Sequence, residues 1–189
     1  MANNILLDSL QMYYLDKKNA SKLLEILKEG NRISLRIIDW FVTNYSKKNN
    51  VFYHIYKTKT GKKTLVAKDN AFHSQFNTYY SYKSQLKSFS KKRFDPFCRR
   101  DRIDYVYEPG KKLETTIGQL NFFKWALDNM VIDYIKQHID EIEEDMNLSY
   151  NEIKKNKKDK NVRKQRQELS KSASRGLSRN NVQIVLSFD

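Results

Sequence analysis

Residues 116–146 read "TIGQLNFFKWALDNMVIDYIKQHIDEIEEDM". Ile117, Leu120, Phe123, Leu127, Met130, Tyr134 and Ile135 recur at the spacings that line one side of an α-helix. Thr115 or Thr116 can cap its start. The stretch therefore predicts one long helix with an apolar stripe turned to a core. Its later half is acidic, with Asp140, Glu141, Glu143, Glu144 and Asp145. Carboxylates near a helix C-terminus oppose the helix dipole, so the pattern implies a basic surface facing them, on this chain or another.

Upstream, residues 4–29 predict two helical pieces. Ile5, Leu6, Leu10 and Tyr13 mark the first, and Leu23, Leu24 and Leu27 the second. A polar break at 16–19 separates them, and Gly30 stops the second. Residues 33–47, with Leu35, Ile38, Val42 and Tyr45, predict an amphipathic helix capped by Ser34. Residues 51–67 pass from "VFYHIYK" through a glycine turn to "KTLVAK", the pattern of a hairpin. "IDYVY" at 103–107 alternates in the same way and adds a strand, ended by "EPG". The expected fold class is α+β, with helices around a small antiparallel sheet in a compact domain over residues 1–150.

Residues 151–181 differ. They hold eleven Lys and Arg against three Asp and Glu, with few large apolar side chains. Such a segment buries too little surface to offset its ordering entropy, so it predicts a flexible basic C-terminal tail. Residues 182–189, "VQIVLSFD", turn apolar again. Val182, Ile184, Leu186 and Phe188 alternate with their neighbours, the period of a short terminal strand. A free strand would be an aggregation hazard, so it is expected on a sheet edge of its own domain or of a partner.

The whole chain has 189 residues and a net charge of +14, from 36 Lys and Arg against 22 Asp and Glu. That balance points to nucleic acid, an anionic membrane surface or acidic proteins as partners. Aromatic residues make up 13% and can build a core. A single cysteine, Cys98, allows no intrachain disulfide, which fits a reducing compartment. The first residues lack the pattern of a secretory signal, Ala2 excludes N-myristoylation, and no apolar run is long enough for a membrane span.

The candidate binding surface begins in "YKSQLKSFSKKRFDPFCRR", residues 82–100, with seven positive charges, one negative and four aromatic rings. On a helix, Lys83, Lys87 and Lys91 form one stripe. Tyr82, Leu86, Phe89 and Arg93 form the next, and Lys92 adds a further cation. The helix must end before Pro96. Asp95-Pro96 then suits the start of a short second helix, which would bring Arg99, Arg100 and Arg102 close to the lysines. Clustered cations of this kind suit a phosphate backbone, and exposed rings would suit bases. The competing reading is solvated lysines over rings that face a core, with Phe94 and Phe97 as packing residues. In the tail, Lys154, Lys155, Lys157, Lys158, Arg163, Lys164 and Arg166 read as a nucleic-acid-binding arm, or as a solubilising or localisation segment.

Catalytic, metal and cofactor signals are weak. His54, His73 and His138 do not combine with the single cysteine at metal spacing, and no phosphate-binding glycine loop occurs. His54 reads as structural. Asp39, Asp101 and Asp104 read as isolated carboxylates. Neighbouring arginines could lower the Cys98 pKa, but no histidine stands near it in sequence to act as a base. No catalytic residue, no metal site and no cofactor is expected.

Three blocks, "SLRIIDWFVTNYSKKNN", "YKSQLKSFSKKRFDPFCRRDRI" and "ETTIGQLNFFKWALDNMVIDYI", resemble an uncharacterised protein family of nucleocytoplasmic large DNA viruses, the algal-virus and mimivirus-like group. The segment "ELSKSASRGLSRNNVQIVLSFD" is similar as well. Together they cover a little under half of the chain. The resemblance implies a viral, intracellular origin in the host cytoplasm or nucleus, or in the virion, and brings no activity with it. The expected function is a non-enzymatic nucleic-acid-associated protein, DNA ahead of RNA, serving genome packaging or late gene expression through phosphate contacts. The alternative is a virion structural or assembly protein whose basic tail and terminal strand dock on capsid partners.

Overall fold

The computed structural model describes residues 2–158 apart from residues 29, 59, 67–71 and 100. The predicted terminal strand, Arg100, and Arg163, Lys164 and Arg166 of the predicted arm lie outside the described residues.

The fold is α+β, with helices packed around small antiparallel sheets. Helices α1 (Ala2–Tyr14) and α2 (Lys17–Leu27) are the two expected N-terminal pieces. Asp16 caps α2 by accepting from the Lys18 backbone N–H. Ser34 caps α3 (Leu35–Trp40), as its sequence position suggests. A π-helical turn, Phe41–Tyr45, joins α3 to the short α4 (Ser46–Lys48). There the Thr43 hydroxyl donates to the Asp39 carbonyl at 2.6 Å, and the Ser46 hydroxyl to the Val42 carbonyl at 3.1 Å. Both bonds take up carbonyls beside the widened turn.

The predicted long helix over 116–146 is three helices. Thr116 caps α6 (Ile117–Asp128), which is buried on nearly every side. At its end the Asn129 amide donates to the Trp125 carbonyl at 2.8 Å, and Met130 takes the left-handed conformation, φ 56. The chain then enters α7 (Val131–Gln137) and, past His138, α8 (Ile139–Lys158). A left-handed non-glycine residue costs about 1–2 kcal/mol. The turn it makes lets Leu120, Phe122 and Phe123 of α6, Val131 and Ile135 of α7, and Ile142 of α8 reach one core. A straight helix would carry its far end away from that core. Periodicity missed the break because the apolar stripe is continuous through it.

The acidic part of α8 faces basic and polar groups of its own chain. Arg32 pairs with Asp140 and Glu143, Lys48 pairs with Asp145, and the Trp40 indole N–H donates to Asp145 at 2.9 Å. The helix crosses the domain boundary expected at residue 150 and carries Lys154, Lys155, Lys157 and Lys158 on its backbone. The Glu- and Lys-rich sequence there favours helix, and extending an existing helix needs no new nucleus.

The predicted hairpin exists in reduced form. Strand β1 (Phe52–Lys57) meets β2, which is only Lys63–Thr64, across a turn with Gly61 at φ 80. Its main partner is β3 (Phe72–Asn77), not foreseen, and the sheet order is β2-β1-β3. The expected strand at 103–107 is β4 (Arg102–Glu108). It pairs with β5 (Lys111–Thr116) in a separate two-stranded sheet instead of joining the first. Gly110, φ 77, makes that turn. Among the described residues no helix is long and apolar enough to cross a membrane.

Candidate nucleic-acid interface

Helix α5 (Thr78–Arg93) follows β3 without a loop, and the Asn77 side chain caps it by accepting from the Tyr80 N–H at 3.1 Å. Apart from Tyr80, which is exposed, its rings pack inward. Tyr82 is buried against Phe94, Phe122 and Trp125, with ring centroids 5.8–6.4 Å away. Phe89 stacks on Phe94 at 6.5 Å, and Phe94 is buried. These rings are packing residues, not stacking surfaces for bases. The opposite side holds cations: between Thr78 and Arg93 stand Lys83, Lys87, Lys91, Lys92 and Arg93, and no acidic residue.

The expected three-lysine stripe is interrupted. Ser90 leaves helical geometry, φ 58 and ψ 169, so the register joining Lys83 and Lys87 does not continue to Lys91. Lys83 lies 5.9 Å from the centroid of the Tyr79 ring, Lys87 and Lys92 are exposed, and Arg93 is half-buried. Among the described residues Lys83, Lys87, Lys92 and Arg93 form no ion pair. Such partners exist for Arg99, 3.4 Å from Asp95, and for Arg102, paired with Glu114. Exposed pairs of this kind contribute about 0–1 kcal/mol and yield easily to a phosphate.

The second helix predicted after Pro96 does not form. Asp95 accepts from the Phe97 N–H at 3.0 Å and closes a turn, and Arg99 lies 4.2 Å over the Phe97 ring. The Pro96 carbonyl that such a helix would use, and the backbone just before it, are already held by the start of α6. The Asp95 N–H donates to the Gly118 carbonyl at 3.2 Å, and the Gln119 amide to the Pro96 carbonyl at 2.9 Å. The Asn121 amide donates to the Arg93 carbonyl at 2.9 Å, and the Thr115 hydroxyl to Gln119 Oε1 at 2.8 Å. Gly118 permits this approach, since a Cβ there would sit 3.2 Å from the Lys92 carbonyl oxygen. The buried amides thus fix the backbone from Lys92 to Pro96 while its cations stay outside. Nothing in the periodicity of 116–127 marks Gln119 and Asn121 as buried clamps. A glutamine and an asparagine inside an apolar stripe were the available signal.

Behind this segment lies Asp39, 1% exposed, with Oδ2 lacking a hydrogen-bond partner. Its pKa is raised to about 7, by burial first and by Asp95 next, against the pull of Arg99 and Lys91. Asp39 is therefore not isolated, as its sequence context indicated, but shares a field with three charged groups of the 91–99 segment. Burial likewise raises the Tyr82 phenol, with Asp39 and Asp95 adding to the effect. Asp104 pairs with Lys112 at 2.7 Å.

One further expectation is corrected. The half-buried Cys98 thiol is pushed up by desolvation more than Arg102 lowers it, the opposite of activation. His54 lies within a strand, as its alternation implied, and is exposed on β1, with its ring 5.4 Å from His73 on β3. Among the described residues no group of three or more His, Cys, Asp or Glu is placed to hold a metal ion.

The chain matches a family of unknown function (DUF7197) over residues 1–189. It is 40% identical over 162 residues to an uncharacterized protein of Acanthamoeba polyphaga mimivirus, covering 83% of this chain and 56% of that protein. The chain thus spans about half the length of the curated relative it matches. No solved structure matches it. The likeness to an uncharacterised family of large DNA viruses, drawn from the sequence blocks, is thereby borne out.

Proposed function

The chain belongs to the family of unknown function DUF7197 and is similar to a mimivirus protein, and from that premise we propose that it is a non-enzymatic viral nucleic-acid-associated protein that grips the phosphate backbone. The observation that carries this reading is α5 and the turn after it. Five cations and no acid lie between Thr78 and Arg93, and buried amides of α6 hold the backbone that follows. Cations on a fixed backbone lose little entropy when they meet phosphates, and each contact releases condensed counterions. The net charge of +14 draws the polyanion in. With Tyr79, Tyr82 and Phe89 packed inward, this helix supplies charge and little base readout. Such binding would serve genome packaging or late gene expression, DNA ahead of RNA.

Reversing Lys83, Lys87 and Lys92 to Glu tests this. The log–log salt slope for duplex DNA should fall by roughly 2.7 if each cation neutralises one phosphate, while the thermal midpoint stays near that of the parent. An unchanged slope and affinity would contradict the reading.

A second reading, an assembly protein, has one observation in its favour. Ile5, Met12 and Leu15 of the α1 region are 72%, 69% and 72% exposed, an apolar surface that a protein partner could cover. Stoichiometric recovery of the chain from purified virions, with no affinity for nucleic acid, would favour it.

A further inference from the structure

The three-stranded sheet has one face against the helices and one face open. Tyr53, Ile55 and Phe76 point inward, where Tyr53 stacks on Tyr134 at 4.7 Å and Phe76 meets Trp125 at 6.2 Å. Alternation places Phe52, His54 and Tyr56 of β1 on the other face. The register sets them opposite Asn77, Gln75 and His73 of β3. Phe52 is 53% exposed, and His54, His73 and Gln75 are exposed as well. The rings of His54, Tyr56 and His73 form a continuous group, with centroids 5.4, 5.7 and 6.3 Å apart. The face thus combines the apolar rings of Phe52 and Tyr56 with two imidazoles.

We propose that this face is a stacking platform for the unpaired bases of a nucleic-acid strand. The inference rests on the phosphate-binding reading and adds a substrate class to it. Three observations select this occupant. Strands β1, β2 and β3 carry no Asp or Glu, so nothing on the sheet repels a polyanion. Among the described residues the Gln75 amide and both imidazoles make no hydrogen bond, so groups that can read base edges are free beside the rings. The Phe52–Asn77 end of the face also runs directly into α5. There Lys47 and Lys83 lie 5.7 and 5.9 Å from the Tyr79 ring, and Tyr80 is exposed. A strand whose bases lie on the sheet would carry its phosphates toward the acid-free helix. Every base has a π-face, so stacking of this kind tolerates any sequence, whereas a duplex keeps those faces covered by neighbouring pairs.

The test uses the full chain and fluorescence anisotropy with labelled 12-nucleotide thymidine and uridine strands and a duplex of matched length. Phe52→Ala, Tyr56→Ala and His73→Ala should each weaken single-strand binding roughly tenfold and leave duplex binding unchanged. Tyr56→Phe, which keeps the ring, should bind as the parent does, and Phe52→Leu, which keeps apolar bulk without a ring, should bind as Phe52→Ala does. Thermal midpoints near the parent's show that substitutions at these positions leave the fold intact. Ring variants that bind single strands as tightly as the parent would overturn the platform. If reversal of Lys83, Lys87 and Lys92 still weakened both ligands, the phosphate reading would stand without it. A parent protein that bound neither strand nor duplex would overturn both. Ring variants that changed self-association instead of binding would assign the face to a second copy of the chain and overturn the inference.

Discussion

Asp39→Asn should make the protein's stability markedly less sensitive to pH. In the folded protein, burial raises the Asp39 carboxyl from 3.8 to about 7. Between those values the folded state holds a proton that the unfolded state has released. Stability therefore falls as pH rises through this window and levels off above it, where both states are ionised. A separation of roughly three pH units corresponds to about 4 kcal/mol when fully expressed, of which roughly 3 kcal/mol lies between pH 5 and pH 8. The Asn side chain has no charge to desolvate. The stability difference between variant and parent should thus grow in the variant's favour by roughly 3 kcal/mol from pH 5 to pH 8, while groups common to both cancel. For a chain of this size that is a relative shift in thermal midpoint on the order of 10 °C. Urea unfolding followed by fluorescence of Trp40 and Trp125 at pH 5, 6, 7 and 8 measures it. Curves for parent and variant that stay parallel across the series would show that Asp39 is ionised in the folded state and solvated or paired there.

Two other substitutions probe the segment that Asp39 underlies. Ser90→Gly should stabilise the fold by up to roughly 1 kcal/mol, because φ 58 with ψ 169 is a region nearly reserved for glycine, and the Lys92 N–H bond to Ser90 Oγ that it loses offsets only a few tenths; equilibrium urea unfolding at one pH decides it, and a variant destabilised by about 1 kcal/mol or more would show that Ser90 is unstrained. Gln119→Leu should destabilise by about 1–3 kcal/mol, since it strands the Pro96 carbonyl and the Thr115 hydroxyl. It should also weaken DNA binding when measured well below its thermal midpoint. Parent-like affinity in that variant would mean the clamp does not position the cations.

The sequence revealed the parts of this fold that local chemistry dictates. Ser34 and Thr116 are caps because their hydroxyls can accept from the first helical turn, and Pro96 lies beyond the end of α5, as its missing N–H requires. The inward packing of Phe94 was legible too, since it flanks that proline. The misses came from long-range pairing. Strand β5 reads "KKLETT", with little strand character of its own, and it exists because β4 folds back across Gly110. Strand β3 is likewise fixed by β1, and its pairing sets His73 beside His54 on the open face. The charges of α5 were visible in the sequence, but its surroundings were not. That Asp39 lies behind Lys91 and Arg99, and that Gln119 and Asn121 hold the chain between them, depends on α3 and α6 meeting the 90–99 segment from residues far away in sequence.

The central claim is that the acid-free cations of α5 and the turn after it grip a phosphate backbone. The most direct measurement is the affinity of the full parent chain for a 20-base-pair duplex across 50–200 mM salt. If Lys83, Lys87, Lys92 and Arg93 each neutralise a phosphate, log affinity should fall against log salt with a slope of about −3.6 or steeper. Binding absent at 50 mM salt, or of a strength indifferent to salt, would contradict the claim.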